Sequence, residues 1–103
     1  MTAVTFAESL ALRSREVEEL LGILANRRRL LILCYLIAEG ELAVGELARR
    51  IDLAQSALSQ HLALMRHAGV VSTRREGTTI YYSLADSRTR ALIEAIEDTL
   101  LPE

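Results

Sequence analysis

A chain of 103 residues can bury one hydrophobic core but not two, so a single domain spanning 1–103 is expected. Half of it is hydrophobic, yet no apolar run approaches the ~20 residues of a membrane span, and the opening MTAVTFAESLALRSR lacks the order of a signal peptide, which points to a cytoplasmic protein. The net charge of -2 argues against a nucleic-acid binder until its distribution is read. Arg49 to Arg75 carries five arginines against Asp52 alone, whereas Asp86 to Glu103 carries two arginines against five acids.

In chain order, Val17, Leu20, Leu21 and Leu24 recur at helical spacing and predict a first helix from near Glu8 to Ala25. Asn26 is placed to cap a second helix, which Leu30, Leu31, Leu33, Cys34 and Ile37 mark as largely buried and which stops before Gly40. Val44, Leu47, Ala48 and Ile51 define a short third helix, and Asp52-Leu53-Ala54 allows only a tight connection to a fourth. That fourth helix runs from Gln55 to Ala68, with Leu58, Leu62 and Met65 on one face and Gly69 as the residue that closes it. Two short helices joined by a tight turn form a helix-turn-helix.

Beyond Gly69 the period changes to two. Val70–Arg75 and Thr79–Leu84 flank Glu76-Gly77-Thr78 and predict a β-hairpin with a basic tip. Asp86 or Ser87 can cap a last helix bearing Leu92, Ile93, Ile96 and Leu100, and Pro102 ends it. The predicted order is α-α-α-α-β-β-α, mainly helical with a hairpin wing. Apolar stripes on the first and last helices exceed what one protomer can cover, so a homodimer through Leu20, Leu24, Ile93 and Ile96 is expected.

At 100° per residue, Gln55, Ser56, Ser59, Gln60, Arg66 and His67 share one arc of the fourth helix, away from its apolar stripe. Glutamine donates and accepts together, as the major-groove edge of adenine requires, and serine lets a helix approach bases or phosphates closely. Arg74 and Arg75 are consecutive on a strand and leave it on opposite faces, so at least one reaches solvent beside that arc, where it can lie along the DNA backbone or enter the minor groove. The DNA-binding candidates are therefore Gln55, Ser56, Ser59, Gln60, His61, Arg66, Arg74 and Arg75; His61, at the edge of the core arc, fits a backbone-bonded core-margin imidazole equally well. Cys34, the single cysteine, excludes an internal disulfide and a multi-cysteine metal site, and reads as a small buried hydrophobe with a redox role as the alternative. Without a glycine-rich phosphate loop, a carboxylate pair or a nucleophile beside a base, the chain is read as a non-enzyme with no cofactor.

The run from Leu24 to Leu84, above all Gln55-Ser56-Ala57-Leu58-Ser59-Gln60-His61-Leu62 and Thr73-Arg74-Arg75-Glu76-Gly77 with Tyr81-Tyr82, resembles the ArsR/SmtB family of winged-helix repressors. The resemblance implies a dimeric repressor of double-stranded operator DNA whose first and last helices pack across a two-fold axis. Many members sense metals through a Cys-x-Cys pair in the third helix; here Ala43 and Gly45 stand at those positions. The other family site uses Asp and His on the last helix, and Asp86 matches while Arg88 and Thr99 replace histidines, so no metal is expected. The wording is similar to the metal-independent NolR/HlyU-like branch and to the sulfur-responsive repressors. In the latter a second-helix Cys pairs with one near the chain end: Cys34 matches the first, whereas Leu100 and Leu101 hold no thiol, and the inducer stays unassigned.

Overall fold

The computed structural model describes residues 3–101, with side chains from Thr5 to Leu101, so the expectation at Pro102 lies outside the described residues. The order is α1 (Ala3–Leu12), α2 (Ser14–Leu24), α3 (Arg27–Glu39), β1 (Glu41–Ala43), α4 (Val44–Ile51), α5 (Gln55–His67), β2 (Val71–Glu76), β3 (Thr79–Leu84) and α6 (Ser87–Leu100). This is a winged helix-turn-helix with two departures from the predicted order.

The first departure is at the N-terminus, where two helices stand in place of one. Arg13, at φ -112° and ψ 16°, leaves helical geometry between α1 and α2. No glycine or proline marks the break, so periodicity alone ran through it. The second departure is β1, whose three residues are too few to show an alternation. Its partner reveals it: β1 pairs antiparallel with β3, Leu42 opposite Tyr82, giving the sheet order β1-β3-β2.

Local chemistry accounts for the other boundaries. The Asn26 side chain accepts the Arg29 backbone N–H at 3.0 Å and Asp86 accepts that of Arg88 at 2.9 Å, each filling an orphan donor at a helix start. Gly69, at φ 80°, follows α5 in the left-handed conformation that a side chain would disfavour. In the hairpin, Glu76 pairs with Thr79 across a two-residue turn whose positive φ is confined to Gly77 at 65°. Glycine first is the pattern of a II′ turn, the hand that matches strand twist.

The core is one cluster in which Ile32, Leu33, Leu36, Leu47, Leu58, Leu62 and Met65 are wholly buried. Burying one such side chain is worth about 1.5–3 kcal/mol, so this cluster fixes α5 to α3 and α4. The expected full burial of Cys34 is corrected here: the residue is exposed at the edge of α3 rather than packed in the core. At 100° per residue it lies about 155° around α3 from the Ile32–Leu33–Leu36 stripe. The expected dimer residues are corrected too, since Leu24 and Ile93 belong to the protomer's own core, at 5% and 8% exposure. Ile96, one of the expected residues, is uncovered, and so are the neighbouring Leu21, Leu92 and Leu100.

Candidate nucleic-acid interface

α5 is locked by its apolar stripe, which leaves Gln55, Ser56, Ser59, Gln60, Arg66 and His67 all exposed. The turn before it is short because Asp52 adopts the left-handed conformation, at φ 52°, and Leu53 N–H bonds back to the Ala48 carbonyl at 3.1 Å. Aspartate tolerates that conformation better than most residues. No side chain caps the start of α5, so its first-turn N–H groups point outward with no partner from Ala54.

His61 is half-buried at the other edge of the apolar stripe, about 100° around α5 from Gln60, and no hydrogen bond to its ring is found among the described residues. Burial pushes its pKa below the usual histidine value, and the nearby Arg29 and Arg28 guanidinium groups push it further the same way. Its alternatives are thus narrowed: the backbone-bonded core histidine is not what the fold contains.

The arginines of the basic middle separate into two kinds. Glu46 accepts from Arg50 at 2.9 Å and also from Arg49, and Arg50 reaches Glu39 at 3.0 Å, which holds the Glu46 carboxyl below the ordinary carboxylate range. Arg74 lies over the Tyr81 ring, 4.6 Å from its centroid, and forks onto Glu41 with Nη2 and Nε donating at 2.7 and 2.8 Å. It also donates to Glu76 at 3.3 Å. Its charge is thereby largely answered within the wing. Arg75 and Arg66 are exposed and, among the described residues, have no acidic partner. The Glu41 clamp was not foreseen: the two residues are 33 apart in sequence, and β1 carries no periodic signal that would place Glu41 beside the hairpin.

Cys34 opens on an apolar groove between α3 and α6 shared with Leu30, Ile37, Ile93, Ile96 and Leu101. Burial in this groove pushes its thiol pKa up, and the Glu97 carboxylate adds to the rise. A raised pKa means less thiolate and lower reactivity. Asp86 has both carboxylate oxygens committed, to the Arg88 guanidinium at 3.1 Å and to the Thr89 hydroxyl at 3.3 Å, and these bonds hold it below the usual range. Ala43 and Gly45 sit half-buried at the β1–α4 junction, and among the described residues no three of His, Cys, Asp and Glu gather where a metal ion would fit.

On the far side, Leu21, Leu24, Leu92, Ile96 and Leu100 line an open apolar depression between α2 and α6, and a second one continues along α1 and α2 through Leu10, Val17 and Leu21. No helix among the described residues is long and apolar enough to cross a membrane.

Comparison with known proteins agrees with this geometry. Residues 26–73 match the family described as "Bacterial regulatory protein, arsR family". The chain is 52% identical to the transcriptional activator HlyU of Vibrio cholerae over 75% of its length and 70% of that protein. It is 48% identical to a biofilm growth-associated repressor of Agrobacterium fabrum, over 82% of this chain and 71% of that one. Its backbone superposes on the transcriptional repressor BigR from Xylella fastidiosa with a TM-score of 0.88, at 36% identity and with 100% of both chains covered.

Proposed function

Since the chain belongs to the arsR family of bacterial regulatory proteins, we propose that it is a homodimeric, metal-independent repressor that reads operator DNA with α5 and holds the backbone with its wing. DNA-binding transcriptional regulation is the family's activity, and the chain is not an enzyme. The observation that carries the finer reading is the exposed Gln55–Ser56–Ser59–Gln60 face, held rigid from behind by three wholly buried side chains. In this reading Gln60 and its neighbours meet base edges in the major groove, and Arg66 and Arg75 meet phosphates or the minor groove. Arg74 acts chiefly on the wing itself, through Glu41 and Tyr81.

Dimerisation across α1, α2 and α6 would cover Leu21, Leu92, Ile96 and Leu100 and set two α5 helices one DNA turn apart, about 34–36 Å. Duplex DNA as the ligand places the protein in the cytoplasm. Relatives carry both activator and repressor in their names, so the sign of regulation rests on where the operator lies relative to a promoter. A thiol-responsive regulator using Cys34 is the competing reading, and its raised thiol pKa weighs against it.

The test separates base reading from backbone anchoring. Gln60→Ala is expected to cost about 1–3 kcal/mol on the operator while leaving random duplex nearly untouched. Arg75→Ala is expected to weaken both and to flatten the salt dependence by about one counterion per lost contact. Equal loss on both duplexes for Gln60→Ala, with Arg75→Ala altering only the operator, would overturn this division of labour.

A further inference from the structure

The first turn of α3 carries Arg27, Arg28 and Arg29 with no acidic residue among them. Three cations there oppose the helix macrodipole, which favours negative charge at a helix start. A local rule broken without compensation calls for a reason elsewhere.

Arg29 has an internal one. Its Nε donates to the Ile23 carbonyl at 2.9 Å and its Nη2 to the Gly22 carbonyl at 3.2 Å, so it satisfies the C-terminal end of α2 and ties α2 to α3. Arg27 and Arg28 have none. Both are exposed, and neither makes a hydrogen bond or ion pair among the described residues. Elsewhere acids answer most arginines: Arg13 by Glu16, Arg49 and Arg50 by Glu46, Arg74 by Glu41, Arg88 by Asp86 and Arg90 by Glu94. The unanswered charge is also placed against α5: on the same first turn, Arg29 lines a surface depression together with Leu64, His67 and Ala68 of α5, so this turn flanks that helix.

We propose that Arg27 and Arg28 form a third DNA-contacting element, which grips a phosphate of the operator backbone on the flank of α5 that the first turn of α3 adjoins. The inference rests on the DNA-reading role given to α5. A duplex laid on the exposed arc of α5 presents a row of phosphates to each flank of that helix, and a guanidinium from the first turn of α3, which adjoins the Leu64–His67 flank, meets one of them without help from any acid of the chain. Arg27 and Arg28 then add affinity and register but no sequence information, since phosphate contacts position while base contacts specify. Arg29, fixed on α2, holds the turn that presents them.

The experiment uses the full chain and two probes: a fluorescent duplex enriched by the wild-type protein from a random pool, and an unrelated duplex of the same length. Binding of wild type, Arg28→Gln, Arg28→Lys and, as a surface control, Arg90→Gln is measured across a series of salt concentrations. The expected result for Arg28→Gln is a salt slope shallower by about 0.9 per protomer, about 1.8 for a dimer, with the ratio of affinities for the two duplexes unchanged. Arg28→Lys, which keeps the charge, is expected to keep the slope, as is Arg90→Gln. Thermal melting separates a structural role: Arg28→Gln removes a cation from a helix start, so its melting temperature should stay level or rise. An unchanged slope in a folded Arg28→Gln that still binds the enriched duplex overturns this proposal alone. Wild-type binding without salt dependence overturns the DNA-reading role of α5 and this proposal with it. A slope lost equally in Arg28→Lys shows that the side chain acts other than as a charge, and overturns it as well.

Discussion

Ile96→Asp tests the proposed dimer. Leu21, Leu92, Ile96 and Leu100 are 51%, 36%, 36% and 69% exposed, which leaves the equivalent of about two whole aliphatic side chains per protomer in water. Covering them on both copies of a two-fold interface is worth about 6–12 kcal/mol, taking about 1.5–3 kcal/mol per side chain. Association itself costs about 4–15 kcal/mol, so this stripe alone gives a marginal dimer. Phe6 and Leu10 of α1, 60% and 44% exposed, are therefore expected to be needed for a tight one. Ile96→Ala removes a third of one side chain from each copy, about 1–2 kcal/mol in all, and should loosen the dimer about 5–30-fold. Ile96→Asp instead buries a carboxylate of each copy in the proposed interface, at several kcal/mol each, and should leave a monomer at micromolar concentration. Sedimentation velocity over a dilution series reads both, with thermal melting to show that the monomer is folded. The reasoning fails if Ile96→Asp sediments as wild type, or if the wild-type chain is a monomer at tens of micromolar.

Stoichiometric zinc, cadmium or arsenite is expected to leave operator affinity unchanged, because Ala43, Gly45, Arg88 and Thr99 stand where the family resemblance puts metal ligands; a tenfold drop, about 1.4 kcal/mol of coupling, would reveal a site built otherwise. Asp86→Ala removes the cap of α6 and should cost about 1 kcal/mol, or about 4–8 °C in melting temperature. Because the folded Asp86 carboxyl titrates below its unfolded value of about 3.9, its stabilisation is present above that pH and lost as pH falls through the folded value, so the two melting curves should converge in acid. Cys34 should alkylate more slowly than a free cysteine at pH 8, and Glu97→Gln should speed it; a thiol faster than the free amino acid would restore the redox reading.

Long periodic segments were readable from sequence because their period is their packing. Leu58, Leu62 and Met65 are the buried face of α5 for the same reason that they recur at i, i+4 and i+7. Caps and turns were readable because Asn26, Asp86, Gly69 and Gly77 each supply something that few residues can. What escaped lacks either property. β1 is three residues long and exists only through its pairing with β3, and the break at Arg13 is set by a residue with no special conformational preference. Within the apolar stripes, sequence gave the helices but not the depth of each position. Leu24 and Leu21 stand three apart on α2, yet one is at 5% exposure and the other at 51%, because their difference is set by which side α6 and α3 occupy.

Charge shows the same limit from another side, and it resolves the conflict between an acidic chain and a DNA ligand. Along the sequence Arg49, Arg50 and Arg74 look like part of a basic face, and in the fold each is answered by an acid, two of them by Glu46 and one by Glu41. Arg27 and Arg28, outside the segment that composition marks as basic, are left unanswered on the first turn of α3, where Arg29 lines a depression with Leu64 and His67 of α5. The acids of α6 hardly bear on that face. α6 shares a groove with Cys34, on the flank of α3 turned about 155° from the stripe that packs in the core with α5. Charges are screened over about 8 Å at physiological salt, well short of the 21 Å of the molecule's thinnest extent. On the proposed reading, a phosphate approaching α5 would therefore meet the few arginines that the chain has not neutralised, and the whole-chain net charge of -2 need not oppose it.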